Sequence, residues 1–177
     1  SVGSRTRSAK GGVAVVAHQA SSNPMYGELG IQLIEKGMTP QQALDYIVRA
    51  DPMAQQRQVS ILDAQGRTAT FTGTGPNDWK GGKCGVDYCV QGNILVGPDT
   101  IDNMAKSFEA SKGKLPLAER LVEALGQGQA GGGDQRGMES ASVMVVKPFA
   151  GSGGWSDRTV DLRVDESRSP IVELKRV

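Results

Sequence analysis

The chain opens on two segments of opposite pattern. Val13-Ala-Val-Val-Ala-His-Gln19 is a short β-type run preceded by Gly11-Gly12, and the more polar stretch Ser1 to Ser8 supplies a partner strand through a turn at Lys10-Gly11. A hairpin is expected there. Asn23-Pro24 then combines a helix N-cap with proline at the first helical position, Leu29, Ile31, Leu33 and Ile34 give the apolar positions, and Gly37 ends the helix. Thr39-Pro40 repeats the device. Ala43, Leu44, Ile47 and Val48 mark the buried stripe of a second helix, which Asp51-Pro52 closes.

Farther along, Gln58-Val-Ser-Ile-Leu-Asp63, a turn at Ala64-Gln65-Gly66, and Thr68-Ala-Thr-Phe-Thr72 predict a second hairpin. Gly85 to Ile94 reads as a further strand. Helices follow from Pro98-Asp99 to Ala110 and from Leu115 to Leu125, the latter with Leu117, Leu121, Val122 and Leu125 at helical spacing. Strands at Ala141 to Lys147 and Thr159 to Asp165 come next, and Pro170 opens a short terminal helix. The order ββ, αα, βββ, αα, ββ lacks the strand-helix alternation of a doubly wound parallel sheet. Paired strands and paired helices predict an α+β fold, most economically a four-layer αββα sandwich of two antiparallel sheets flanked by helix pairs.

Composition narrows the functional classes. The chain has 177 residues, 38% of them hydrophobic, and a formal net charge of +1, which suits one globular domain able to bury a core without disulfides or metal. Its 24 glycines cluster between apolar segments without a triplet period, as tight turns and close backbone approaches would require. Val13 to Ala17 is far too short to cross a bilayer, so no membrane association is expected. The expected compartment is the cytoplasm. With 20 basic and 19 acidic residues and no aromatic platform, nucleic acid is not an expected partner. Cys84 and Cys89 read as two thiols in or near a strand, the alternative being a bridge or redox pair. His18 is the sole histidine, and neither a metal nor a cofactor is expected.

Several motifs fall to their context. Gly126-Gln-Gly-Gln-Ala-Gly131 spells the dinucleotide fingerprint, but it leaves a helix instead of following a strand. A Ser-His-Asp triad would depend wholly on His18. Ser1 needs no histidine, because a free α-amine is partly neutral at physiological pH and can take the proton of its own hydroxyl. Either Ser1 is such a nucleophile or it is only a cut end. Gln91-Gly92-Asn93 ends an apolar strand with two amides, as oxyanion donors or as a turn. Asn23 is most simply a helix cap, and Asp134-Gln-Arg136 is a charged turn or an ion pair lining a pocket. Asp161, Arg163 and Asp165 form one charged strand face, most simply solvated cross-strand pairs, while Trp155 stands in a glycine-rich loop.

Four stretches together are more specific: Ala17-His-Gln-Ala-Ser-Ser-Asn-Pro-Met-Tyr-Gly27, Val90-Gln-Gly-Asn-Ile-Leu95, Gly132-Gly-Asp-Gln-Arg-Gly137 with Ser140-Ala141, and Gly154-Trp-Ser-Asp-Arg158 running into Val160 to Asp165. In this order they resemble a bacterial domain-of-unknown-function family with the N-terminal nucleophile (Ntn) hydrolase, or proteasome-like, fold. The resemblance covers nearly the whole chain. It implies the four-layer sandwich over residues 1–177 and an amide-hydrolysing ancestry. Two departures stand out: family members begin upstream of Ser1 with an extra hairpin, and His18 replaces a threonine-like residue. On this reading the chain is the large product of autoproteolysis that exposes Ser1. The alternatives are a nucleophile in a separate upstream chain or a non-catalytic ligand-binding or assembly module. The expected catalytic residues are Ser1, Asn93 and Gln91, with His18, Asn23, Asp134, Arg136 and Arg163 binding substrate or tuning the site. The expected partners are a small amide or peptide-like substrate, a small subunit from the cleaved segment and further copies of the chain.

Overall fold

A computed structural model describes residues 6–75 and 79–176. Mixed helix and antiparallel sheet make it α+β, in two compact units of which the first runs through Asn93 and the second begins at Ile94.

In the first unit β1 (Arg7–Lys10), β2 (Ala14–Ala20), β3 (Arg57–Asp63) and β4 (Thr68–Thr72) form a four-stranded antiparallel sheet in sequence order. Register pairs Val16 with Ile61, His18 with Val59, and Val59 with Phe71. Because side chains alternate across a strand, one face of the sheet carries Ala14, Val16, His18, Val59, Ile61 and Phe71. Helices α1 (Met25–Glu35) and α2 (Pro40–Ala50) pack on that face through Ile31, Leu33, Ala43, Leu44 and Ile47. Gly30 allows the approach: a Cβ there would sit 3.0 Å from Val16 and 3.6 Å from Ile47. As the sequence predicts, Thr39 caps α2, its hydroxyl accepting from the Gln42 N–H while the Gln42 side chain accepts from the Thr39 N–H. At the β3–β4 turn the buried Asp63 carboxylate accepts from the Gln65 and Arg67 N–H groups and pairs with the Arg67 guanidinium.

A two-stranded ribbon, β5 (Trp79–Gly85) and β6 (Tyr88–Leu95), covers the other face of that sheet. Strand β5 corrects the sequence reading, which has no strand between Thr72 and Gly85. Its Lys, Gly and Cys residues show no apolar alternation, and it is strand because it pairs with β6. A second correction concerns Cys84 and Cys89, which form a disulfide across the hairpin.

In the second unit α3 (Asp99–Ala110) packs on α4 (Leu117–Ala130). The latter extends beyond the predicted end at Leu125, so most of the rejected fingerprint is helix. Gly128 faces Met104 of α3, where a Cβ would come within 2.6 Å. The hairpin of β7 (Ala141–Val146) and β8 (Arg158–Val164) buries Ala141 and Val143 with Val122 of α4 and Leu174 of α5 (Pro170–Leu174). No helix among the described residues is long and apolar enough to cross a membrane.

Candidate functional site

The same alternation that sends Val59 and Ile61 toward the helices sends Gln58 and Ser60 toward the ribbon, with Gln19 of β2 and Thr70 and Thr72 of β4 on the same side. These positions are polar and covered. Gln58 is fully buried, and its side-chain nitrogen, with two hydrogens to donate, lies 2.9 Å from Gly81 O, 3.1 Å from Gly92 O and 3.0 Å from Thr72 Oγ1. Its Oε1 accepts from Gln19 Nε2 at 2.6 Å, and Gln19 Nε2 also donates to Asn93 Oδ1 at 3.1 Å. Beside this chain the Ser60 hydroxyl donates to Gln91 Oε1 at 2.6 Å and contacts Thr70 Oγ1 at 2.8 Å. Gln91 Nε2 donates to Ala17 O at 3.2 Å. The ribbon is thus held by directional bonds where the helices are held by apolar area.

Two of the predicted catalytic residues, Gln91 and Asn93, meet in this network and differ in what they leave over. Both ends of Gln91 hold ribbon to sheet. Asn93, itself half-buried, uses only its oxygen: among the described residues its Nδ2 has no protein partner. The next residue, Ile94, has φ 56°, a left-handed conformation that a β-branched side chain rarely adopts. Strain of this kind costs about 1–3 kcal/mol and concentrates at functional sites.

The other candidates lie elsewhere. Ser1 is outside the described residues. His18 is on the helix-facing side of β2, 2% exposed, its Nδ1 2.7 Å from Ser22 Oγ, and burial lowers its pKa from the ordinary histidine value. Asn23 Oδ1 accepts from the Met25 N–H, the capping role expected of it. In the second unit Asp134 and Arg136 pair with each other at 2.6 Å. The Arg136 hydrogen bond holds the Asp134 carboxyl below its ordinary range. Arg163 pairs with Asp165 at 2.9 Å, both substantially exposed, so these charges take the charged-turn and solvated-face readings. Among the described residues no group of three or more His, Cys, Asp or Glu side chains could hold a metal.

Gln19 and Gln58 are the participants the sequence reading passes over. Their signal is an amide at an inward position of β3 and another at the register position beside it on β2, Gln19 opposite Gln58.

A sheet with a helix pair on one face and an amide-bonded ribbon on the other defines the α+β class without naming a reaction. The chain belongs to the family of unknown function DUF1028, whose model matches residues 1–174. It is similar to a crystal structure of a Silicibacter pomeroyi protein of that family: 27% identity, TM-score 0.87, covering 99% of this chain and 73% of the other. No curated protein matches the chain.

Proposed function

We propose that this chain is an N-terminal nucleophile hydrolase cleaving an amide or peptide-like bond in a small substrate. Its fold on this reading is a four-layer αββα sandwich, with the four-stranded sheet as one inner layer. The Ser1 hydroxyl attacks the substrate carbonyl while the α-amine takes its proton. The C–N bond then breaks, the proton passes to the leaving amine, and water hydrolyses the Ser1 ester. Asn93 Nδ2 donates to the oxyanion as it forms.

The observation that carries this reading is Asn93: an amide held at its oxygen, its nitrogen without a partner among the described residues, two residues before the end of β6 and next to the left-handed Ile94. An oxyanion donor has to be held without being spent, and Asn93 meets that condition where Gln91 does not.

Intact-protein mass spectrometry tests the proposal, comparing wild type and Ser1→Ala expressed from the full gene, before and after incubation with a panel of small p-nitroanilides. An uncleaved precursor for Ser1→Ala and a Ser1-linked acyl adduct for wild type are expected. Equal processing and no Ser1-dependent adduct would leave a binding or assembly module, or a nucleophile in another chain.

A further inference from the structure

An amide side chain carries a donor at one end and an acceptor at the other, and its partners decide which end points where. Along Gln58, Gln19 and Asn93 that decision is imposed from one end. Gly81 O and Gly92 O are backbone carbonyls, which only accept, and both lie within 3.1 Å of the Gln58 side-chain nitrogen. Reversing this fully buried amide would set its oxygen against two carbonyl oxygens with no water to separate them. Gln58 Oε1 therefore faces Gln19, and only a donor satisfies it at 2.6 Å. Gln19 must present its nitrogen. The second hydrogen of that nitrogen goes to Asn93 Oδ1, so Asn93 keeps its oxygen inward and turns its nitrogen outward.

We infer that Gln58 and Gln19 are positioning residues that fix the polarity of Asn93. The outer end of the network is then a hydrogen-bond donor, selecting a ligand that offers a carbonyl or carboxylate oxygen there and disfavouring one that offers an ammonium or hydroxyl hydrogen. Three residues from three strands transmit the orientation of two ribbon carbonyls to the NH2 group of the half-buried Asn93. The assignment of that ligand oxygen to a scissile carbonyl rests on the proposed hydrolase reading, whereas the polarity of Asn93 does not.

Side-chain amide NMR on the folded protein separates the two, the Asn93 NH2 signal being assigned by its loss in Asn93→Asp. In wild type the Gln58 and Gln19 NH2 groups should be protected from solvent exchange, and Asn93 NH2 should exchange at least about tenfold faster. Gln19→Glu replaces the donor with an acceptor, so Asn93 should turn its nitrogen inward and its NH2 should become protected. Gln19→Lys keeps a donor at that position, and Asn93 NH2 should stay fast. Protection of Asn93 NH2 in wild type, or the same exchange in the Glu and Lys variants, would overturn the inference. The expected exchange pattern, combined with wild-type rates of acyl-adduct formation from a p-nitroanilide in Asn93→Asp and Gln19→Glu, would uphold the polarity and overturn the hydrolase role of Asn93.

Discussion

On the side of the four-stranded sheet that meets α1 and α2, Val16, Val59 and Ile61 have no exposed surface, and Ser8, His18 and Asp63 are polar residues on the same face. On the side that meets the ribbon, the same strands present Gln19, Gln58, Ser60, Thr70 and Thr72. Apolar contact is roughly proportional to area and indifferent to direction, so the helix side supplies cohesion and tolerates small shifts. Hydrogen bonds add little net energy each but are directional and costly to leave unmade. The ribbon side therefore fixes register and amide polarity, which is what a donor site requires and an apolar layer cannot give.

Four perturbations probe this contrast, in decreasing order of effect. Gln58→Leu keeps the volume and removes every partner of Gly81 O, Gly92 O and Gln19 Nε2 that Gln58 supplies. At about 1–3 kcal/mol for each unsatisfied group, a loss of about 4 kcal/mol in unfolding free energy is expected by denaturant titration. Ile61→Ala on the opposite face should cost about 3 kcal/mol through its cavity, yet leave the Asn93 amide signal unshifted. A Gln58→Leu protein as stable as wild type would erase the distinction between the faces.

Next is acid. Tyr26 and Arg57 meet Asp51 beside the helix-facing layer, with Tyr26 Oη 2.9 Å and Arg57 Nε 2.5 Å from the carboxylate. Burial pushes the Asp51 carboxyl up, but hydrogen bonds from Arg57, the Met53 N–H and Tyr26, with the Arg57 charge, outweigh it and bring the pKa down to about 2 from 3.8. Folded Asp51 thus holds its proton less tightly than unfolded. Its contribution is complete above about pH 4 and is lost as pH falls toward 2, worth about 2 kcal/mol with the side chain 10% exposed. Asp51→Asn should flatten this part of the acid limb of a stability-against-pH curve.

Last comes the Cys84–Cys89 bridge, which closes a loop between residues five apart. Chain entropy for so short a loop gives about 2 kcal/mol. Reduction with dithiothreitol should speed hydrogen exchange at the β6 amides of Gln91 and Asn93 and leave those of Val59 and Ile61 slow. Uniform acceleration across both layers would mean that the ribbon is not a separately held element.

Much of the helix side is legible in the sequence because its signals are local. Thr39-Pro40 with Gln42 spells a capping box, Ala43, Leu44, Ile47 and Val48 repeat at helical spacing, and Thr68 to Thr72 alternates cleanly. The ribbon side is harder because its causes are distant. Gln91-Gly92-Asn93 stands out as an amide cluster, but Gln19 lies 39 residues from Gln58 and 74 from Asn93, and no periodicity links them. Strand β5 escapes for a related reason: its glycines fit beneath neighbours, as at Gly82, where a Cβ would meet Val90 O at 3.1 Å, and carry no pattern of their own. The disulfide likewise depends on β5 being a strand opposite β6, which two cysteines five apart do not announce.

The most direct test of the central claim is the rate at which a p-nitroanilide acylates Ser1 in wild type and in Asn93→Asp, followed by intact mass. The substituted carboxylate would keep an oxygen toward Gln19 and lose both donor hydrogens. A fall of about 10²–10³-fold in acylation is predicted for loss of an oxyanion donor. Acylation of Asn93→Asp at the wild-type rate, with the variant folded, would contradict the account.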